Sequence, residues 1–175
     1  MAKYFIYHDL SRCIGCLACE VSCMDWKGLP FGKANCRIYQ FGPEAKHGEP
    51  DLSFAYFSCF HCEKAFCVEA CPTGALNKRT LDGIVEYRKD LCIGCRACIM
   101  ACPWGVPQWN EEEGKIYKCD YCVERIEQGL EPACVTRCPT RALSFVSAQE
   151  VSNLKRTKWL EATFGRAAHL VGYRG

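Results

Sequence analysis

The chain has 175 residues, enough for one domain or two small ones, and seventeen of them are cysteine. That share fits a disulfide scaffold or a metal protein. A formal charge of +2 gives a nucleic-acid surface no compositional support, and no apolar run approaches the ~18 residues of a membrane span, so no direct membrane insertion is expected.

The first predicted element is "KYFIY", short and β-rich. The opening "MAKYFIYHDLSRC" carries one lysine and no apolar stretch with a small-residue cleavage site, so it does not read as a secretory signal. A cytoplasmic location is therefore expected. Thiols stay reduced there, which weakens the disulfide reading.

Cys13, Cys16, Cys19 and Cys23 follow, with spacing C-x2-C-x2-C-x3-C. Residues 24–58 read as an inserted β segment, with Trp26, strand-like "RIYQF" and "SFAYF", and a charged "PEAKHGEP" tip expected as a solvated loop. The second group is Cys59, Cys62, Cys67 and Cys71. After it, "GALNKR" and "GIVEYR" flank Thr80, Leu81 and Asp82 and predict a hairpin with Gly83 at its turn. Cys92, Cys95, Cys98 and Cys102 repeat the first spacing. Cys119, Cys122, Cys134 and Cys138 repeat the second: C-x2-C, a variable spacer, then C-x3-C-P. "RALSF" closes this region as a short strand. Sixteen cysteines are placed; Cys36 alone is left over and reads as a small buried thiol.

The groups alternate as an internal repeat. "HDLSRCIGCLACEVSC" and "YRKDLCIGCRACIMAC" align without a gap at an offset of 79 residues. "CFHCEKAFCVEACPTGAL" and "CDYCVERIEQGLEPACVTRCPTRAL" align with one insertion of seven. Two copies of one half-unit imply pseudo-twofold symmetry and packing shared between the halves.

Thiolates are soft ligands for zinc, copper(I) or iron–sulfur clusters. Zinc sites pair one C-x2-C with a second pair a dozen or more residues away. Cysteines at i, i+3 and i+6 are too crowded for that. They suit a loop around one corner of a cubane, with Gly15 and Gly94 letting the backbone come close. In the C-x2-C-x2-C-x3-C-P run of two-cluster ferredoxins, the fourth cysteine ligates the other cluster. Cys98 to Cys102 fit one helical turn, which carries Cys102 away from the loop. Pro103 discourages helical geometry at Cys102 and ends the turn.

At "CFHCEKAFCVEACPTGAL", "DLCIGCRACIMACPWGVP" and "KCDYCVERIEQGLEPACVTRCPTRAL" the sequence resembles the four-cluster, ferredoxin-like subunits of molybdenum and tungsten oxidoreductases. These serve formate dehydrogenases, polysulfide and dimethyl sulfoxide reductases, and tungsten aldehyde oxidoreductases. The resemblance spans residues 4 to about 146. Ala65, where relatives often have proline, is a departure that touches no ligand. The resemblance implies an α+β fold over residues 1–146: a duplicated bacterial-ferredoxin-like domain of short strands and helices around four [4Fe-4S] clusters. It also implies the pairing. Cys13, Cys16 and Cys19 join Cys138; Cys119, Cys122 and Cys134 join Cys23; Cys59, Cys62 and Cys67 join Cys102; Cys92, Cys95 and Cys98 join Cys71. Clusters so linked form a wire.

Other residues read more plainly. His61, between two ligands, is expected beside a cluster or at the surface. Trp104, Trp109 and Tyr117 are expected to pack around clusters. Arg12, Arg96, Lys118 and Arg137 each adjoin a ligand; a positive charge there raises a cluster's potential, though an exposed one does little. No P-loop, dinucleotide fingerprint or nucleophile elbow is present, so no catalysis is expected.

The protein reads as a non-catalytic electron-transfer subunit. A free polyferredoxin shuttle is the alternative, and a zinc scaffold the third reading. The implied partner is a catalytic molybdopterin or tungstopterin subunit, with a flavin subunit as a further one. A tungsten aldehyde oxidoreductase is the first choice, a formate dehydrogenase the second. Residues 147–175 read as a helix and tail for partner or self contact. Ser147 and Glu150 stand in capping-box spacing at its start, and Gly165 stands at its stop.

Overall fold

The first and last strands of the fold are partners. The computed structural model describes residues 4–46 and 49–165. Strand β1 (Tyr4–His8) leads into the first cysteine loop and helix α1 (Ala18–Lys27). Strands β2 (Arg37–Lys46) and β3 (Glu49–Phe57) follow, then the second cysteine group with α2 (Phe66–Glu69). Strands β4 (Leu76–Lys78) and β5 (Val85–Tyr87) precede the third group and α3 (Ala97–Ala101). Strands β6 (Gln108–Asn110) and β7 (Lys115–Tyr117) precede the fourth, with α4 (Val123–Ile126) and α5 (Ala133–Thr136). Strand β8 (Leu143–Ser147) and helix α6 (Ala148–Phe164) end it.

Among the described residues, eight strands pair antiparallel in four two-stranded sheets: β1 with β8, β2 with β3, β4 with β5, β6 with β7. The repeat is visible in the registers. Leu76 faces Tyr87 across β4–β5, and Leu143 faces His8 across β1–β8. The aligned halves make Leu143 the counterpart of Leu76 and His8 that of Tyr87. The pairing of β1 with β8 is thus the second half's version of a hairpin. This is the duplicated α+β ferredoxin-like fold.

Local sequence decides how each cysteine helix ends. Pro103 follows Cys102, so α3 stops at Ala101 and Cys102 is extended (φ −82°, ψ 113°). Met24 follows Cys23, so α1 runs on to Lys27 and ends at Gly28 in the left-handed conformation. Residues 24–27 therefore belong to a helix and not to the β segment read from the sequence. The charged tip also differs. After an irregularity between Phe41 and Glu44, the ladder resumes with Glu44 opposite Asp51 and continues to Lys46 opposite Glu49. Backbone pairing there satisfies groups that a loop would leave to water. Only His47 and Gly48 of that tip lie outside the described residues.

Two apolar clusters underlie the halves. One joins Cys19, Cys23, Ala34, Cys36, Cys134, Val135 and Leu143; the other joins Ala65, Leu76, Val85, Cys98 and Ile116. Full burial of Leu76 and Val85 contributes about 1.5–3 kcal/mol each. The first cluster combines the first and fourth cysteine groups, the second the second and third. Contacts between halves include an Arg79–Glu127 ion pair at 2.8 Å and the tilted rings of His61 and Tyr121.

Helix α6 begins with a full capping box: the Glu150 amide donates to Ser147 Oγ at 3.3 Å, and the Ser147 amide donates to Glu150 Oε2 at 2.6 Å. It touches β1 and β8, and Lys158 pairs with Asp9. None of its side chains is buried. The tail beyond Gly165 lies outside the described residues.

Candidate metal centres

Each cysteine loop is bent by residues in the left-handed region. Gly15 and Leu17 have φ of 67° and 61°; their counterparts Gly94 and Arg96 have 70° and 62°. A Cβ on Gly15 would lie 2.3 Å from the Phe54 ring of β3, and one on Gly94 would lie 2.4 Å from the Gly114 carbonyl oxygen at the β6–β7 turn. The close approach that needs glycine is thus to a neighbouring hairpin, beyond the cluster approach read from the sequence.

These bends gather the cysteines around four open cavities. Cys13, Cys16, Cys19 and Cys138 line one of about 320 Å³. Cys23, Cys119, Cys122 and Cys134 line another of about 300 Å³, which Cys36 also borders. Cys59, Cys62, Cys67 and Cys102 line a third of about 380 Å³, and Cys71, Cys92, Cys95 and Cys98 a fourth of about 310 Å³. Of the sixteen grouped cysteines, each cavity takes three from one group and a fourth from another. No group of three or more His, Cys, Asp or Glu among the described residues converges as a single ion would require. Three ligands within one short loop and a fourth from another group suit a cubane better than zinc.

Backbone donors aim at the sulfurs. The Asn35 amide donates to Cys23 Sγ at 3.3 Å, the Ala142 amide to Cys138 Sγ at 3.2 Å, and the His61 amide to Cys59 Sγ at 3.4 Å. Tyr56 Oη lies 3.3 Å from Cys134 Sγ. His8 lines the first cavity with Nε2 buried and unpartnered, while Nδ1 accepts from the Tyr56 amide at 3.2 Å. Its counterpart Tyr87 lines the fourth cavity. The Tyr87 hydroxyl is near enough to Cys92 for each to perturb the other, yet it makes no hydrogen bond of normal geometry. Buried polar atoms at both cavities thus await an acceptor that protein alone does not supply.

Burial pushes several thiols up: Cys134 to about 12, Cys98 and Cys122 to about 11, and Cys119 well above its ordinary value. Thiolates at these positions need a strong positive partner. Iron would supply it, and loading the sites would then release protons.

Cys36 is buried, with its thiol at Cys19 and Cys23. His61 is 1 % exposed and lies between the halves, with Nδ1 accepting from the Val85 amide at 2.8 Å; a surface position is excluded. Its two lysine neighbours, behind burial as the larger cause, keep its pKa well below the usual histidine value. Trp104 lines the third cavity. Trp109 instead packs under the Arg96 guanidinium at 3.9 Å, and Tyr117 donates to Gln108 Oε1 at 3.1 Å. Neither lines one of the four cavities, but Trp109 packs against the apolar cluster that contains Cys98, as expected for a residue around the sites. Sequence reasoning passed over Tyr56 and His8; the counterpart of His8, a tyrosine just ahead of the third group, was the signal available.

Comparison with known proteins shows the family. Models of the 4Fe-4S dicluster domain match residues 12–75 and 51–148. The protein is 43 % identical over 156 residues to the B subunit of the anaerobic dimethyl sulfoxide reductase of Escherichia coli, covering 85 % of this protein and 76 % of that one. It is 34 % identical over 161 residues to the iron–sulfur subunit of the nitrate-inducible formate dehydrogenase of E. coli, covering 83 % and 55 %. To Protein NrfC of E. coli it is 39 % identical over 163 residues, covering 89 % and 72 %. Two dicluster units and their cysteines amount to four [4Fe-4S] clusters. The protein therefore belongs to the ferredoxin-like, four-cluster iron–sulfur subunits of molybdenum oxidoreductases, which carry electrons for a catalytic subunit and are not catalytic themselves.

Proposed function

We propose that each cavity's four cysteines ligate one cluster and that the four clusters form a relay with two accessible ends. The exposure of Cys16 and Cys95 carries this reading. They are counterparts in the two halves, and each is flanked by an exposed isoleucine, Ile14 and Ile93. Cys59, Cys122 and Cys134, in the two remaining cavities, are buried. Electrons enter at one exposed cluster and leave at the other. Within a half, Cys23 and Cys138, or Cys71 and Cys102, cross between adjacent clusters. Between halves, Cys119 and Cys59 are near enough to feel each other's charge, so the inner clusters make the crossing.

The catalytic partner is of the dimethyl sulfoxide reductase kind, on the similarity to that enzyme's iron–sulfur subunit, with a formate dehydrogenase second. The aldehyde oxidoreductase and flavin subunit expected from the resemblance have no counterpart among the relatives named above. Tagged protein purified anaerobically from its native cells tests the proposal. Recovery at fixed stoichiometry with one molybdopterin subunit is the expected result. Recovery alone, with reduction by several unrelated enzymes, would make it a shuttle.

A further inference from the structure

Four basic residues adjoin cysteines of the cavities: Arg12, Arg96, Lys118 and Arg137. Three are exposed. Lys118 is 4 % exposed and lines the cavity of Cys59, Cys62, Cys67 and Cys102. Its ammonium donates to the Val85 carbonyl at 2.6 Å and to the Cys119 carbonyl. Among the described residues, no carboxylate pairs with it. Two carbonyl dipoles do not neutralise a buried cation, and buried charges in proteins are paired or bound to metal centres. A [4Fe-4S] cluster with four thiolates is an anion in both of its working states, and the cavity beside Lys118 is shaped for one.

The second half lacks this charge at the equivalent position; Lys27 lines its inner cavity but is paired with Asp120 at 2.7 Å and Glu124 at 2.8 Å. Aligning "SCFHC" with "KCDYC" makes Ser58, also buried, the counterpart of Lys118. The pseudo-twofold is therefore broken at the crossing between halves: one inner cavity meets an ammonium held by carbonyls, the other a lysine held by two carboxylates.

We infer that Lys118 is the buried counter-ion of the cluster held by Cys59, Cys62, Cys67 and Cys102, and that it raises that cluster's reduction potential. This rests on the ligand assignment proposed above. Reduction adds one negative charge to the cluster, and a fixed ammonium in a low-dielectric site favours the more negative state. The other three basic residues are exposed, Arg96 at the rim of the cavity of Cys71, Cys92, Cys95 and Cys98, so water and salt screen most of such an effect. Lys118 is a positioning and tuning residue with no part in bond making.

Redox titration of the anaerobically purified holoprotein, followed by electron paramagnetic resonance, tests this. A Cys102→Ser variant first identifies which of the four reduction waves belongs to the site. Lys118→Met should move that wave to lower potential. At fixed potential the ratio of reduced to oxidised cluster should fall about tenfold, about 59 mV for one electron. Lys118→Arg should return the wave close to its original position, and Arg12→Gln should leave all four in place. If Lys118→Met prevents the cluster from loading while Lys118→Arg permits it, the charge is still what the site requires. An unmoved wave in a fully loaded Lys118→Met protein overturns the inference and leaves the relay intact. Loss of the cluster in both Lys118 variants also overturns it, because shape would then be the requirement. A native protein without four one-electron waves would instead refute the relay itself.

Discussion

His61 and Tyr121 lie ring against ring, with centroids 3.8 Å apart and planes tilted by 45°. They are counterparts, each the third residue of its C-x2-C segment, and both are left-handed, with φ of 46° and 56°. The axis relating the halves thus runs close to this pair. The two aromatic rings fill the seam between the inner cavities, and the buried His61 imidazole is anchored by the Val85 amide of β5.

The Tyr56 hydroxyl gives a first prediction. An iron-bound thiolate has no proton, so Tyr56 is the donor to Cys134 Sγ, and burial keeps the phenol protonated. Tyr56→Phe removes the donor and keeps the ring. The cluster held by Cys134 should drop in potential by an amount on the order of tens of millivolts, with the others unmoved. Titration of the holoprotein would show this, and equal shifts in all four clusters would count against it.

The crossing cysteine gives a second. Cys102 lies with Cys59, Cys62 and Cys67, away from its own sequence group. Cys102→Ala should perturb that cluster and leave intact the one held by Cys71, Cys92, Cys95 and Cys98. Loss of the latter signal, with the former unchanged, would contradict the assignment.

A third concerns Gly94. Alanine there takes the left-handed penalty of about 1–2 kcal/mol, and its Cβ meets the Gly114 carbonyl. Because that contact is backbone, relief requires movement of the β6–β7 turn. The temperature at which the cluster chromophore bleaches should fall by several degrees, at about 2–4 °C per kcal/mol for a protein of this size. An unchanged bleaching temperature would show the turn yields freely.

Helix α6 gives a fourth. No cavity cysteine lies beyond Cys138 and no α6 side chain is buried, while Leu154, Trp159 and Phe164 are exposed. A protein ending at Ser147 should retain its iron and lose assembly with the catalytic subunit. Iron analysis reads the first outcome and native mass measurement the second. Iron loss would place α6 in the core; intact assembly would remove its docking role.

Much of the site was legible because ligand spacing is a local code. The groups, their alternation and the stop at Pro103 all follow from residues a few positions apart. The Gly83 hairpin and the Ser147 cap were readable for the same reason. The β6–β7 hairpin was not, since "QWN" and "KIY" are too short to show a period. The length of β2–β3 was hidden by a tip rich in glycine, proline and charge. Lys118 looked like any basic residue beside a ligand. Its burial depends on β5, distant in sequence, which supplies the Val85 carbonyl, and a one-dimensional reading does not see that contact. The same holds for His61, whose polar side chain is packed against Tyr121 and bonded to the Val85 amide, both distant in sequence.

The central claim is that sixteen cysteines hold four cubanes. Metal and acid-labile sulfide analysis of anaerobically purified protein tests it most directly. Four cubanes require about sixteen iron and about sixteen sulfide per molecule, with broad absorption that bleaches on reduction. Stoichiometric zinc with little iron or sulfide would contradict it.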